Sequence, residues 1–367
     1  MIPFTFFVPT RISFGRGRIG RLADFVGSEY SRVLIVTEQN VAEKSGAVDA
    51  ALSCLRGKDV TVFQDVEENP SFATLEKGRR MARKANARMI LGIGGGSPMD
   101  AAKGIAVLAT NGGTMSEYMA GRALEADPLP VICIPTTSGT GSEATPYAVF
   151  TDTEGKTKGG YAHDKIFPRV SIVDPELTYS MPEAVVVNTG LDALTHSIEA
   201  YLSMLASPMN DLFALESIRL VLEHLPRAAE RDRGAMDAMA YASMLGGIAI
   251  THASTILLHI MGYPLTVFHG LPHGRANAAL LPAFLDFMRE ASEVGDRVRN
   301  LDALFEPHGG AGAYVRSLGV STRLAEYGVT EEQLGRFADK VIIKGDVKIT
   351  PAVLTREIIA GIYASTM

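Results

Sequence analysis

Apolar and polar positions follow different patterns in the two halves of the chain. In the first half, short β-branched runs alternate with amphipathic stretches of helical period, and the runs cover residues 33–37, 60–63, 89–93 and 131–134. Alternation of this kind predicts a sheet of parallel strands connected by helices. After about Pro182, long segments rich in Ala, Leu and Met replace the strand signals and predict helices at residues 185–205, 210–225 and 235–255.

The change of pattern places a domain boundary near Pro175 and Pro182, which bracket a short polar stretch. We expect an α/β domain with a parallel sheet over residues 1–180, followed by an all-helical domain over residues 181–367. A chain of 367 residues fits two domains around one cleft, where cofactors and substrates usually bind.

Composition narrows the class of protein. The chain is 47% hydrophobic and 21% charged, as soluble globular enzymes are, and its net charge of −6 predicts no nucleic-acid partner. Pro3 interrupts the apolar N-terminal segment, and other apolar runs end well before the ~18 residues that span a bilayer. We therefore expect a cytoplasmic protein without a signal peptide or a membrane partner. Two cysteines, Cys54 and Cys133, exclude a disulfide framework and a thiolate metal site.

A glycine-rich loop follows the run at residues 89–93. Gly95, Gly96 and the glycine before them lead into Ser97 and Pro98, which are typical N-cap and first-turn residues of a helix. Such glycines let a pyrophosphate approach the backbone N–H groups at the start of a helix. Ser97 stands where the Rossmann fingerprint has its third glycine, so a tight structural turn is the alternative interpretation.

Two further loops carry polar groups suited to a dinucleotide. Glu38 follows the first strand, where a carboxylate accepts hydrogen bonds from an adenosine ribose and repels a 2′-phosphate, which favours NAD over NADP. It could equally be a solvated acid. Residues 135–143 (PTTSGTGSE) follow the run at 131–134 and offer hydroxyls to a nucleotide or a substrate oxygen. A tight polar turn would have the same composition.

Candidate metal ligands lie in the second half. Asp192 and His196 are four residues apart in a predicted helix, so they share one face. Three of the eight histidines, His259, His269 and His273, fall within one short segment. One carboxylate with several imidazoles suits Fe²⁺, Zn²⁺ or Mn²⁺, and because Zn²⁺ binds more tightly than Fe²⁺, supply would decide the native ion. Asp192 and His196 alone could be a hydrogen-bonded helix pair.

Four motifs in this order resemble the iron-containing alcohol dehydrogenase family, over nearly the whole chain. They are residues 94–103 (GGGSPMDAAK), 135–143 (PTTSGTGSE), 190–201 (GLDALTHSIEAY) and 273–282 (HGRANAALLP). The resemblance implies a dehydroquinate synthase-like architecture, in which the α/β domain binds a nicotinamide cofactor and the helical domain holds one divalent metal. Fe²⁺ is the first expectation and Zn²⁺ the second.

The resemblance also implies roles for individual residues. The expected metal ligands are Asp192, His196, His259 and His273, and His252 would replace His259 only if the loop carried an insertion. The expected cofactor contacts are Glu38, Asn69, Gly95, Gly96, Ser97, Thr136, Thr137, Thr140 and Lys158. Taken without the resemblance, Lys158 would be a solvated surface lysine.

The chain departs from the family pattern at two positions. Tyr263 stands where many members have a histidine, and His269 stands where an aromatic residue is common. We therefore assign part of the proton relay to His269, since an imidazole exchanges protons near neutral pH. The alternative is a loop histidine that lines the cleft without acting.

The expected function is reversible hydride transfer between an alcohol and its aldehyde or ketone, with the substrate oxygen on the metal and NAD, or else NADP, as hydride carrier. A homodimer is expected from the resemblance and from the apolar N-terminal strand, which could instead cap its own sheet.

Two alternative functions stay open. A dehydroquinate-synthase-like lyase would need several cations near the metal, where the ligand loop offers only Arg275. A non-catalytic nucleotide-binding protein would oxidise no alcohol. Primary alcohols, small diols and hydroxy acids all remain candidate substrates.

Overall fold

The computed structural model describes residues 3–39, 44–153, 155, 157–290 and 293–367, which form two compact units. The α/β unit comprises Phe7–Pro182 and Arg231–Met244. The helical unit comprises the described residues up to Phe6 together with Glu183–Glu230 and Leu245–Met367.

The α/β unit contains a six-stranded sheet in the order β1-β8-β5-β4-β2-β3, with every neighbouring pair parallel. The antiparallel strands β6 and β7 form a separate hairpin. The strands are β1 Arg11–Phe14, β2 Arg32–Val36, β3 Asp59–Phe63, β4 Met89–Gly94, β5 Val131–Pro135, β6 Tyr147–Asp152, β7 Thr157–Ala162 and β8 Val170–Val173. The predicted parallel α/β sheet is confirmed, and the four predicted strands match β2 to β5 within one residue at each end.

Both faces of the sheet are buried. Along β2, Leu34 and Val36 belong to the core on one face, while Val33 and Ile35 belong to the core on the other. Successive strand side chains point to opposite faces, so continuous apolar runs are what a sheet covered on both sides requires. This explains why the central strands have no apolar–polar alternation.

Helices cover the sheet and make up the other unit. Those in the first half are α1 Leu22–Val26, α2 Ala47–Cys54, α3 Phe72–Lys84, α4 Gly96–Thr110 and α5 Met115–Met119. Those in the second half are α6 Glu183–Leu202, α7 Pro208–Ala229, α8 Arg233–Ala253, α9 Leu257–His269, α10 His273–Glu290, α11 Gly295–Phe305, α12 Ala311–Ser317, α13 Glu331–Ile342 and α14 Arg356–Ala364. No strand follows Pro182 in the described residues, which agrees with the predicted helical half.

Helix α8 crosses the boundary between the units, because its residues up to Met244 belong to the α/β unit. There the Asp237 carboxylate accepts hydrogen bonds from Arg16 Nε (2.8 Å) and from the Tyr179 hydroxyl (2.6 Å). Tyr241 packs edge-on against Phe14, with ring centroids 5.3 Å apart. The α/β unit is therefore built from two separate stretches of sequence.

No single helix among the described residues is long and apolar enough to cross a bilayer. Only α8 and α9 taken together reach that length and composition, and a bend of 113° separates them.

Candidate metal centre and cofactor loops

Helix α6 contributes two of the predicted ligands, Asp192 and His196. The helix is buried from Gly190 onward, and its four-residue spacing places both side chains on one face. His196 Nδ1 lies 3.9 Å from Asp192 Oδ2. The spacing of this pair therefore translates directly into proximity.

Helices α9 and α10 bring two more histidines to the same carboxylate. His259 Nε2 lies 3.8 Å and His273 Nε2 lies 3.9 Å from Asp192 Oδ1. The rings of His196 and His259 stack at 4.4 Å, and those of His259 and His273 meet at 5.1 Å. One ligand atom each from Asp192, His196 and His259 lies within 4.8 Å of the other two. The structure thus gathers all four predicted ligands in one cluster.

A glycine allows the approach of α10 to α6 at this point. A side-chain carbon on Gly274 would lie 1.9 Å from the Asn188 carbonyl oxygen and 2.8 Å from Asp192 N. No side chain fits such a gap, so Gly274 lets the helices touch. Because His273 is its neighbour, this contact positions the imidazole beside Asp192.

The chemistry of the cluster fits a divalent cation. Asp192 Oδ1 and His259 Nε2 are buried, and neither has a hydrogen-bond partner among the described residues. A buried polar atom left unsatisfied costs ~1–3 kcal/mol, a cost that coordination would remove. One carboxylate oxygen with imidazole nitrogens is a donor set that Fe²⁺ and Zn²⁺ both accept.

The electrostatics of the cluster also favour a cation. Burial alone would raise the pKa of Asp192, but the imidazoles of His196, His259 and His273 lower it below its ordinary value. Burial opposes charge on His259 as well, yet the carboxylates of Glu199 and Asp192 raise its pKa to about 9. These carboxylates therefore create a negative potential at the imidazole that attracts a proton or a metal ion.

Tyr263 and His269, the two departures from the family pattern, have different surroundings. The Tyr263 ring stacks on His273 at 5.5 Å, and burial raises the pKa of its phenol. His269 ends α9 with its ring edge-on to Phe337 at 6.0 Å, and its buried Nε2 has no hydrogen-bond partner among the described residues. The residue in ring contact with the histidine cluster is therefore Tyr263.

His252, the alternative ligand, and Arg275, the cation that a lyase would need, each contact other residues. The His252 ring packs against Phe6, with centroids 5.2 Å apart. Arg275 donates hydrogen bonds to Asn188 Oδ1 and to the Gly319 carbonyl, each at 3.1 Å. The one cation of the ligand loop is thus engaged in holding the fold, which argues against a lyase that binds phosphate there.

The glycine loop joins β4 to α4 in the α/β unit. The helix begins at Gly96 with Gly95 as its N-cap, so the expectation that Ser97 is the N-cap is wrong. Gly95 is already extended, and the helix starts before the serine. The Ser97 hydroxyl instead accepts a hydrogen bond from Asn69 N at 3.0 Å. The loop containing Asn69 is thereby attached to the start of α4.

Residues 135–143 (PTTSGTGSE), which we call the threonine loop, lie against the glycine loop. A side-chain carbon on Gly96 would lie 2.7 Å from Thr140 Cγ2, and one on Gly95 would lie 3.4 Å from Thr137 Oγ1. Thr136 N donates to the Gly94 carbonyl at 2.9 Å. The buried Thr136 hydroxyl has no hydrogen-bond partner among the described residues.

Lys158 and Glu38 complete this group. Lys158 Nζ donates to Asn69 Oδ1 at 2.6 Å, so the lysine is attached to the same loop system rather than simply solvated. The Gly95 N–H donates to the Glu38 carboxylate, and burial raises the pKa of that acid. A cavity of about 350 Å³ adjoins Glu38 and is lined by Glu38, Gln39, Gln64, Asp65, Val66, Glu67 and Glu68. All nine predicted cofactor residues thus belong to the α/β unit, where they lie on loops, on strand β7 or in the first turn of helix α4.

Sequence families match both halves of the chain. The family described as iron-containing alcohol dehydrogenase matches residues 9–175, and the C-terminal family of Fe-containing alcohol dehydrogenases matches residues 186–367. The chain belongs to the iron-containing alcohol dehydrogenase family. Its members are oxidoreductases that act on alcohols, so the predicted enzyme class is confirmed.

Individual proteins are similar to this iron-containing alcohol dehydrogenase over nearly the whole chain. Alcohol dehydrogenase 4 of Schizosaccharomyces pombe is 34% identical, over 99% of this chain and 89% of its own. An iron-containing alcohol dehydrogenase of Thermotoga maritima has a similar structure, with a TM-score of 0.90, 35% identity and 99% coverage of both chains. A sulfoacetaldehyde reductase of Bifidobacterium kashiwanohense, solved with NAD⁺, has a TM-score of 0.90, 28% identity and coverage of 100% and 99%.

Glu199 also lies in the metal site, although the sequence analysis did not identify it. Glu199 is fully buried on α6, and its carboxylate contacts His259 Nδ1. It also accepts hydrogen bonds from the backbone N–H groups of Ile256 (2.9 Å) and His259 (3.3 Å). The available signal was its spacing, because seven residues after Asp192 is two helical turns further along the same face.

Proposed function

We propose that this dehydrogenase transfers hydride reversibly between an alcohol and its aldehyde or ketone, with NAD as carrier and one divalent metal as Lewis acid. The observation that carries the proposal is the cluster in the helical unit, where ligand atoms of Asp192, His196 and His259 lie within 4.8 Å of one another and His273 Nε2 lies 3.9 Å from Asp192 Oδ1. Fe²⁺ is the proposed ion, with Zn²⁺ as the alternative that the same ligands accept.

Each residue of the cluster has its own role in this proposal. When bound, the metal supplies Lewis-acid chemistry to the substrate oxygen. Asp192 provides the one negative charge of the ligand set, and the three imidazoles provide neutral donors. Tyr263, stacked on His273, holds that ring in place and covers one side of it.

Alcohol oxidation releases one proton besides the hydride, and that proton needs an acceptor. His269 remains the proposed relay residue, and its unsatisfied Nε2 supports this role because the nitrogen is able to take a proton. The test is a comparison of His269→Ala with Tyr263→Phe. Loss of kcat at low pH in the first variant but not in the second would support His269.

The cofactor half of the proposal concerns the α/β unit. The glycine and threonine loops would hold the pyrophosphate, where the backbone N–H groups at the start of α4 favour an anion. The carboxylates of Glu38, Asp65, Glu67 and Glu68 around the adjoining cavity disfavour a 2′-phosphate, so NAD is proposed over NADP. The similar reductase solved with NAD⁺ supports this choice.

The cellular location and the oligomeric state are also proposals. We keep the cytoplasm as the proposed location and a homodimer as the proposed assembly. The expected apolar N-terminal strand is not formed, since residues 3–10 have no strand in the structure. The edge strand is β1, which begins at Arg11, and an edge strand is where a second copy could pair.

The test combines metal analysis with turnover. Purified protein should contain close to one Fe or Zn per chain and should oxidise NADH faster than NADPH with aldehydes or ketones from a panel. Chelation should abolish turnover, and added Fe²⁺ or Zn²⁺ should restore it. His273→Ala should lose both metal and turnover, while His252→Ala, the matched control, should keep both. Full turnover by metal-free protein would overturn the proposal.

A further inference from the structure

We infer that Glu199 is the positioning residue of the metal centre: its buried carboxylate holds the proton on His259 Nδ1 and thereby reserves Nε2 for the metal. The inference rests on the proposed function, since it concerns the proposed metal site. It adds a residue that touches neither metal nor substrate.

The placement of Glu199 follows from helix α6. Asp192 and Glu199 are seven residues apart, so both carboxylates project from one face of α6, two turns apart. The His259 imidazole lies between them, with Nε2 3.8 Å from Asp192 Oδ1 and Nδ1 in contact with Glu199 Oε2. Each ring nitrogen therefore faces a different carboxylate of the same helix.

The hydrogen bonds of Glu199 leave little freedom to the ring. Its Oε1 accepts from the N–H groups of Ile256 and His259, which begin α9, and its Oε2 meets His259 Nδ1. An ionised carboxylate only accepts hydrogen bonds, so Nδ1 must carry the proton. Nε2 is then the ring nitrogen left for the metal, which would replace any second proton there, and it has no hydrogen-bond partner among the described residues.

The same carboxylate also anchors the helix that carries the ligand. The N-cap of α9, Ile256, makes no side-chain capping bond, and Glu199 accepts from the backbone in its place. The start of the helix and the orientation of the ring are thus set by one group. Side chains that orient a metal ligand in this way typically raise metal affinity by about 10- to 100-fold.

Glu199→Gln is a sharp test because an amide has one acceptor and one donor end. With its oxygen on the backbone N–H groups, its NH₂ faces Nδ1 and drives the proton to Nε2, where it blocks the metal. With the amide reversed, its NH₂ opposes two N–H groups. Either orientation weakens metal binding at nearly unchanged volume.

The experiment measures the metal dissociation constant by competition with a chromogenic chelator, using Zn²⁺ and, without oxygen, Fe²⁺. Glu199→Gln should weaken binding about 10- to 100-fold. NADH affinity, which reports on the α/β unit, should stay at the wild-type value. Glu143→Gln is the matched control, because Glu143 is the other buried glutamate of the described residues and lies in the α/β unit. It should leave metal affinity unchanged.

Two further measurements test the inference, and the first needs no variant, so it decides the question even if Glu199→Gln folds poorly. Long-range ¹⁵N–¹H spectra of the Zn²⁺-loaded wild-type protein should show the proton of His259 on Nδ1. A proton on Nε2 would overturn the inference. In a His259→Ala background, Glu199→Gln should cause no additional loss of metal affinity, because its partner is gone.

The outcomes also separate this inference from the proposed function. If His273→Ala loses metal while Glu199→Gln binds it as tightly as wild type, only the role of Glu199 is wrong. If His273→Ala retains metal with wild-type affinity, the proposed metal site itself is wrong.

Discussion

Lys103→Met should destabilise the α/β unit strongly, because this lysine is fully buried beneath the threonine loop. Its Nζ donates to the backbone carbonyls of Ser142 (2.7 Å), Thr145 (3.0 Å) and Tyr147 (2.7 Å). It also reaches the Ser142 hydroxyl at 2.8 Å. One ammonium group thus holds the turn that follows the threonine loop.

The partner charge is Asp100, one turn earlier on α4. Its carboxylate accepts from the Ser142 hydroxyl (2.6 Å) and from Val149 N (2.8 Å). Burial raises the pKa of Asp100 and lowers that of Lys103, and the opposite charge counteracts each shift. Methionine keeps most of the volume of lysine, so the loss would be electrostatic rather than steric.

The magnitude follows from what the substitution leaves behind. Lys103 and Asp100 are linked through the Ser142 hydroxyl, which accepts from the ammonium and donates to the carboxylate. Removing one of two such buried, opposite charges costs ~3–5 kcal/mol, since the other charge stays buried without compensation. Each abandoned carbonyl adds a smaller cost where water cannot reach it. We expect the free energy of unfolding to fall by ~3–5 kcal/mol.

The assay is urea denaturation followed by circular dichroism. Lys77→Met, on the exposed side of α3, is the matched control and should change stability by less than about 0.5 kcal/mol. Adding Asp100→Asn to Lys103→Met should cost less than the sum of the single changes, because it removes the uncompensated charge. A loss below ~1 kcal/mol for Lys103→Met would refute the reasoning, since such a loss is typical of an ordinary hydrogen bond.

Three further predictions concern single residues of the α/β unit. Gly96→Ala would place a carbon 2.7 Å from Thr140 Cγ2 and should weaken NADH binding about tenfold, measured by NADH fluorescence; unchanged affinity would contradict the packing of the two loops. Glu38→Gln should raise the ratio of kcat/KM for NADPH over NADH about tenfold, and an unchanged ratio would show that this carboxylate does not select the cofactor. Burial raises the pKa of Glu143 from 4.5 to about 7, so the folded protein holds a proton that the unfolded chain releases, and this acid destabilises the fold progressively as pH rises from 4.5 to 7. Glu143→Gln should therefore gain up to ~3 kcal/mol on wild type between pH 4.5 and 8 in urea denaturation, and a constant difference would contradict the shift.

Much of the sheet could be predicted because its central strands are buried on both sides. Strands β2, β4 and β5 are nearly continuous apolar runs that hydrophobicity alone identifies. The edge strand β3 (DVTVF) buries only Phe63, and its β-branched residues are the signal that predicts it. Strand β7 (TKGGYA) has two glycines and little strand propensity, so its conformation depends on pairing with β6. The edge strand β1 has no buried residue and gives no such signal.

The candidate metal site also has a part that the sequence predicts and a part that it does not. The spacing of Asp192 and His196 on one helix predicted their proximity, because helical geometry is local. The approach of His259 and His273 depends on how α9 and α10 pack. The density of histidines in this segment predicted a ligand cluster, and the family resemblance indicated which of them belong to it. Glu199 was overlooked since a glutamate in a helix is usually solvated. Its contacts come from α9, which sequence spacing does not reveal.

The division of helix α8 bears on how pieces of this enzyme could be exchanged or expressed. A fragment that stops at Pro182 would lack Asp237 and Tyr241, so Arg16, Tyr179 and Phe14 would lose their partners. Chimeras between relatives that join the chains at that proline would combine a sheet from one parent with a bracing half-helix from the other. A functional graft would have to carry residues 231–244 along with the sheet.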